Sequence, residues 1–144
     1  MRVACQSPGP RTVGTVLVVT RYSVPTDEAG EFLDLARAAL QALTARPGCT
    51  NGRVGRAVDD PTAWTLTTTW DSVGAYRRAL SAYDVKLHAV PVMYRAVDEP
   101  TAFEDLLTWT PGSGLTEPEP ALAADAGSVN LGEAAVPRAP RGLD

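Results

Sequence analysis

The 144-residue chain has one histidine, one lysine and two cysteines, and each scarcity removes a class of function. Cys5 and Cys49 fit no metal-ligand or redox spacing, and His88 is the one histidine. Two thiols placed in this way suit a reducing compartment, so the cytoplasm is the expected location. Lys86 is the only lysine, and residues 1–109 carry 12 acids against 11 bases. No basic patch is present to draw in nucleic acid, and no basic amphipathic helix to lie on a membrane. Long apolar runs are also missing, so no stretch approaches the ~20 residues of a membrane-spanning helix. The opening "MRVACQSPGPRTVGTVLVV" is interrupted by Pro8, Gly9, Pro10 and Arg11, and it lacks the apolar centre of a signal peptide.

Aromatic residues run out before the chain does. From Thr110 onward the sequence reads "TPGSGLTEPEPALAADAGSVNLGEAAVPRAPRGLD", with five prolines, five glycines, and five acids against two arginines. Such a composition buries too little apolar surface to offset the entropy of ordering, which predicts a disordered tail over 110–144. Residues 1–12 are expected to be a flexible N-terminal segment. One folded domain of about a hundred residues, 13–109, lies between them.

Within that domain the hydrophobic pattern alternates between strand and helix. "TVLVVTRYSV" (15–24) is a β-branched strand ended by Pro25, and its consecutive apolar residues Val16 to Val19 need cover on both faces. Thr26 is placed to cap a helix that carries Phe32, Leu35, Ala36, Ala39, Leu40 and Leu43 at helical spacing and stops at "RPG" (46–48). "CTNGRVGRAV" (49–58) is a weaker strand and "DDPT" (59–62) a turn. "AWTLTTTW" (63–70) alternates, with Trp64, Leu66, Thr68 and Trp70 on one side and three threonines on the other. Asp71 or Ser72 caps a second helix predicted to run to Val90, with Val73, Tyr76, Leu80 and Tyr83 along one stripe. "TAFEDLLTW" (101–109) supplies a last strand.

The order βαββαβ predicts an α+β, ferredoxin-like unit: a four-stranded antiparallel sheet with both helices on one face. Trp64, Leu66, Trp70, Phe103 and Trp109 add apolar bulk that two helices cannot all cover. A second copy of the chain can cover it, so a homodimer with facing sheets is expected.

"PG" at 47–48, "GRAVDDPTAWTLTTTWDS" at 55–72 and "AYRRAL" at 75–80 stand in sequence around this unit. In these segments the chain resembles the antibiotic-biosynthesis monooxygenase family, whose members form dimeric α+β barrels. The resemblance implies an oxygenase that oxidises a small, electron-rich, polyketide-like aromatic without metal or flavin. Trp70 and Tyr76 match the tryptophan and tyrosine of the polyketide-oxidising members. Their asparagine is replaced by Leu66, and their arginine has no clear match, with Lys86 and Arg77 the nearest candidates. Haem-degrading members use a histidine near the end of the same helix, where this chain has His88. Their asparagine and tryptophan correspond to Thr20 and Ala79, which disfavours haem. No cofactor is therefore expected, with haem held by His88 as an alternative. A ligand-binding or structural dimer without chemistry is the other alternative.

On one continuous helix, Arg77, Ser81, Asp84 and His88 share a stripe beside the apolar one. An Asp four residues before a His can orient the ring and hold its N–H, as a general base requires. The same pair also reads as a solvated helix edge. A tryptophan that ends a strand and a tyrosine one turn into a helix are either core residues or walls that stack a flat substrate. The candidate site is thus His88 and Tyr76 as catalytic residues, with Trp70, Asp84 and Arg77 binding the substrate in a pocket between sheet and second helix. The expected partners are a small aromatic molecule and a second copy of the chain.

Overall fold

The computed structural model describes residues 14–118. The expected segment 1–12 and most of the expected tail, from 119 onward, lie outside the described residues. Strand β1 (Val16–Ser23) leads through a 3-10 turn at Thr26–Glu28 into helix α1 (Ala29–Thr44). Strands β2 (Cys49–Ala57) and β3 (Asp60–Trp70) form a hairpin. Three short helices follow: α2 (Val73–Leu80), α3 (Tyr83–His88) and α4 (Val90–Met93). Strand β4 (Ala102–Glu104) closes a four-stranded sheet in the order β2-β3-β1-β4, every pairing antiparallel. This is the ferredoxin-like α+β arrangement that the element order predicts. Among the described residues no helix is long and apolar enough to cross a membrane.

Alternation along the two central strands decides which face is dry. Val16, Val18, Thr20 and Tyr22 of β1 are buried, as are Trp64, Leu66, Thr68 and Trp70 of β3. These residues meet Phe32, Ala36, Ala39 and Leu43 of α1 and Ala75, Tyr76, Ala79 and Leu80 of α2 in one core. Three of the five residues expected to load the opposite face, Trp64, Leu66 and Trp70, therefore lie under the helices. The opposite face carries Leu17, Val19, the threonines 65, 67 and 69, and Phe103, which pairs with Leu17.

α1 stops where expected. Gly48 sits at φ +94°, and a Cβ there would stand 2.5 Å from the Ala75 Cβ and 2.9 Å from Asp71 Oδ1. Only glycine fits that corner, which ties the end of α1 to the β3–α2 turn. The start of α1 differs from the sequence reading, since no side chain caps it and Thr26 lies in the 3-10 turn. Leu35, assigned to its apolar stripe, is exposed.

Two further expectations are corrected. The second helix is not continuous. Ser72 caps α2, its Oγ accepting from the Ala75 N–H at 3.0 Å, but the backbone at Ala82 is extended and the chain restarts as α3. The break re-aims the stripe, so that Val85 and Ala89 enter the core while Tyr83 and Leu87 face solvent. The last strand is likewise split. β4 ends at Glu104, and Thr108–Thr110 (β5) pairs instead with Gly114–Thr116 (β6), placing Trp109 opposite Leu115. Ordered pairing thus runs past the boundary at residue 109 that composition suggested.

Candidate functional site

Trp70 and Tyr76 come together as the sequence expects. β3 delivers Trp70 at its last residue, the Ser72 cap turns the chain, and Tyr76 faces the sheet one turn into α2. Their ring centroids are 5.5 Å apart at 47°, and both side chains are buried. The Trp70 indole N–H donates to Thr68 Oγ1 at 2.9 Å. The Tyr76 hydroxyl is fully buried without any hydrogen-bond partner among the described residues. Burial, then the neighbouring Tyr22, pushes its pKa well above the usual tyrosine range. It is therefore a neutral donor with its hydrogen uncommitted, and it cannot act as a base near neutrality.

A second polar group occupies the same interior. Tyr22 Oη lies 2.8 Å from Thr20 Oγ1, and the Thr20 hydroxyl donates to the Leu66 carbonyl at 3.2 Å. Burial pushes Tyr22 up to about 12, against smaller opposing effects from Thr20 and Arg95. The Tyr22 ring packs on Phe32 at 5.0 Å, and Phe32 meets Trp64 edge-on at 5.4 Å. Sequence reading missed Thr20, Tyr22 and Thr68 as site candidates. The signal was present in their period-2 placement among Val16, Val18, Leu66 and Trp70, which put three hydroxyl side chains on the core face.

The remaining candidates do not join this interior. His88 and Asp84 are exposed on α3, and no hydrogen bond or ion pair links them. Arg77 is half-buried on α2, on the other side of the helix break. The expected stripe of Arg77, Ser81, Asp84 and His88 is thus divided. Beside His88 the side chains of Asp84, Lys86 and Leu87 are exposed as well. Among the described residues no three His, Cys, Asp or Glu side chains are grouped to hold a metal.

The pocket expected between the sheet and the second helix is filled by the Trp70 and Tyr76 rings. An open cleft of about 280 Å³ lies instead at the start of α1, lined by Glu28, Glu31, Phe32, Leu35 and Arg95. Phe32 connects the two regions, because it lines this cleft and packs on Tyr22.

Residues 15–88 match the family model for antibiotic biosynthesis monooxygenase. The chain belongs to that family. No curated protein matches it. Among solved structures, a conserved protein from Methanosarcina mazei Go1 is 18% identical, with a TM-score of 0.54 over 65% of this chain and 93% of its own. A variant of SnoaB, a cofactor-independent oxygenase from Streptomyces nogalater, is 21% identical, with a TM-score of 0.50 over 63% of this chain and 88% of its own. A protein of unknown function from Bacteroides thetaiotaomicron reaches a TM-score of 0.56 at 10% identity, covering 64% and 98%. At these identities the antibiotic biosynthesis monooxygenase fold is what is shared.

Proposed function

We propose that this antibiotic biosynthesis monooxygenase family member is a cofactor-independent oxygenase of a small, electron-rich aromatic. The observation that carries the reading is the buried, unpartnered Tyr76 hydroxyl beside Trp70. A buried polar atom left without a partner costs about 1–3 kcal/mol, and such atoms in native proteins call for an explanation. A substrate oxygen admitted when α2 moves aside would be that explanation, the Trp70 ring so freed then stacking a flat partner.

The substrate class is a polycyclic phenol with an acidic ring methylene. It binds as its anion, the proton left in water, and the neutral Tyr76 hydroxyl donates to the negative oxygen. The carbanion passes an electron to O2, and the radical pair collapses to a C–O bond. The resulting hydroperoxide takes up a proton and loses water to leave a carbonyl. One oxygen atom ends in the product and one in water, so CH2 plus O2 becomes C=O plus H2O with no further reductant. Trp70 and Tyr76 carry this reading, while the exposed His88 stands outside it. SnoaB, similar in fold, supports the class of chemistry. Entry requires α2 to move away from the sheet, for which the break at Ser81–Ala82 is a suitable hinge.

The same reading includes a homodimer in the cytoplasm, formed through the sheet face that carries Leu17, Val19 and Phe103. The filled space between Trp70 and Tyr76 favours a second reading, a ligand-binding or structural dimer without chemistry. Oxygen uptake by chelator-treated protein with a panel of hydroxylated polyaromatics separates the two. Uptake that falls about 10²-fold or more in Tyr76→Phe supports the oxygenase, on the scale of losing one oxyanion donor. No uptake with any compound supports the second reading.

A further inference from the structure

The hairpin that follows the sheet presents a bare apolar face. Trp109 and Leu115 stand directly opposite each other across β5 and β6, while Thr108 and Thr116 take the other face with their hydroxyls 2.7 Å apart. Trp109 is 64% exposed and Leu115 69%, and Leu106 and Leu107, which lead into the hairpin, are exposed as well. Among the described residues the hairpin packs chiefly against itself. A lone two-stranded hairpin is marginal in water, so this face calls for a surface that these residues do not supply. The hairpin's position says which surface. Asp105 is pinned to the start of β1, its N–H donating to the Thr15 carbonyl at 3.1 Å and its carboxylate accepting from Thr15 Oγ1 at 2.7 Å. The hairpin therefore leaves the sheet edge beside Phe103 and Leu17, which face outward. From Leu106 to Thr116 there is no charged side chain, as at the buried centre of an interface. The open sheet face is uncharged along its column of Thr65, Thr67 and Thr69. On that face Arg21 is neutralised by Glu99 at 2.7 Å, and Arg53 stands on the outermost strand, β2.

We infer that the β5–β6 hairpin is a clasp between two copies of this chain, each laying Trp109 and Leu115 on the open sheet face of the other. The inference rests on the dimer in the reading above and adds the element outside the sheet that holds it. Area supports this occupant. A stable interface buries about 800 Å² on each partner, more than Leu17, Val19 and Phe103 supply, and one aromatic side chain adds about 150–250 Å². Two-fold symmetry makes the contact twice, so each hairpin counts on both copies. The two surfaces also adjoin on one chain, and each leaves bare what the other covers.

Sedimentation equilibrium of the full chain, with amide exchange followed above and below the dimer's dissociation constant, tests this. Replacing both anchors, Trp109→Ser with Leu115→Ser, should weaken the dimer about 30-fold or more, the loss of one strong interface anchor. Leu87→Ser, at an exposed apolar position on α3, should leave it unchanged. Amides of residues 108–116 should be protected in the dimer and exchange freely once dilution gives monomer. A double variant that pairs as tightly as wild type overturns the clasp and leaves the sheet-face dimer and the oxygenase reading standing. Equal weakening by Leu87→Ser overturns it as well. So does protection that survives dilution, because the hairpin is then covered by its own chain. A wild-type chain that is monomeric at micromolar concentration overturns the clasp and the dimer together, while oxygen uptake still decides the chemistry.

Discussion

At the scale of single residues, the two buried phenols make opposite demands on stability. Tyr76→Phe removes a hydroxyl that has no partner, so it should leave stability unchanged or raise it by about 1 kcal/mol while turnover falls. Urea denaturation alongside oxygen uptake checks both halves. Tyr22 provides a pH dependence. Its folded pKa of about 12 stands above an ordinary value of 10.0, so the stability linked to it is fully present below pH 10. Between pH 10 and 12 the unfolded chain releases a proton that the folded chain keeps, and stability declines as pH rises, by about 2–3 kcal/mol in the limit. Tyr22→Phe should flatten that decline when urea midpoints are compared at pH 8 and pH 11. Trp70→Ala should cost about 3–5 kcal/mol whatever its part in binding, because the indole is wholly buried. His88→Ala, at an exposed position, should alter stability by less than about 0.5 kcal/mol. Trp70 and Tyr76 were legible in the sequence because aromatic type, strand end and helix spacing agreed. Tyr76's lack of a partner was not legible, since it depends on which atoms from other elements come near it. Tyr22 and Thr20 were passed over because hydroxyl side chains in a β-branched strand look like ordinary strand formers.

At the scale of elements, the pattern of alternation was the most readable feature. Trp64, Leu66, Thr68 and Trp70 share a buried face because a strand's period of two allows nothing else. The break at Ser81–Ala82 was hidden because neither residue disrupts a helix strongly and the apolar spacing from Val73 to Leu87 suits one long helix. Tertiary packing decided otherwise, burying Val85 and Ala89 in place of Tyr83 and Leu87. The separation of β4 from β5 was hidden for a similar reason, as "TAFEDLLTW" contains no glycine or proline and its one turn-forming residue is Asp105. Packing of α1 on β2 offers a direct test. A Cβ on Gly52 would stand 2.7 Å from Leu40 Cδ1 and 2.9 Å from Thr44 Cγ2. Gly52→Ala should therefore push these two side-chain ends aside at a cost of about 1 kcal/mol, read from a thermal melt.

At the scale of the whole molecule, a sheet covered by helices on one side leaves Leu17, Val19 and Phe103 facing outward. Phe103→Asp should convert a sedimenting dimer to monomer at micromolar concentration if that face joins two copies, since it buries an unpaired charge within it. The central claim, that the Tyr76 and Trp70 interior supports oxygen chemistry with no cofactor, is tested most directly by one labelling experiment. Chelator-treated protein would turn over a hydroxylated polyaromatic under isotopically heavy oxygen, with product mass compared between wild type and Tyr76→Phe. The account predicts a carbonyl bearing one heavy oxygen atom, formed at least 10²-fold more slowly by the variant. Product formed equally fast by Tyr76→Phe, or carrying oxygen from water instead of from O2, would contradict it.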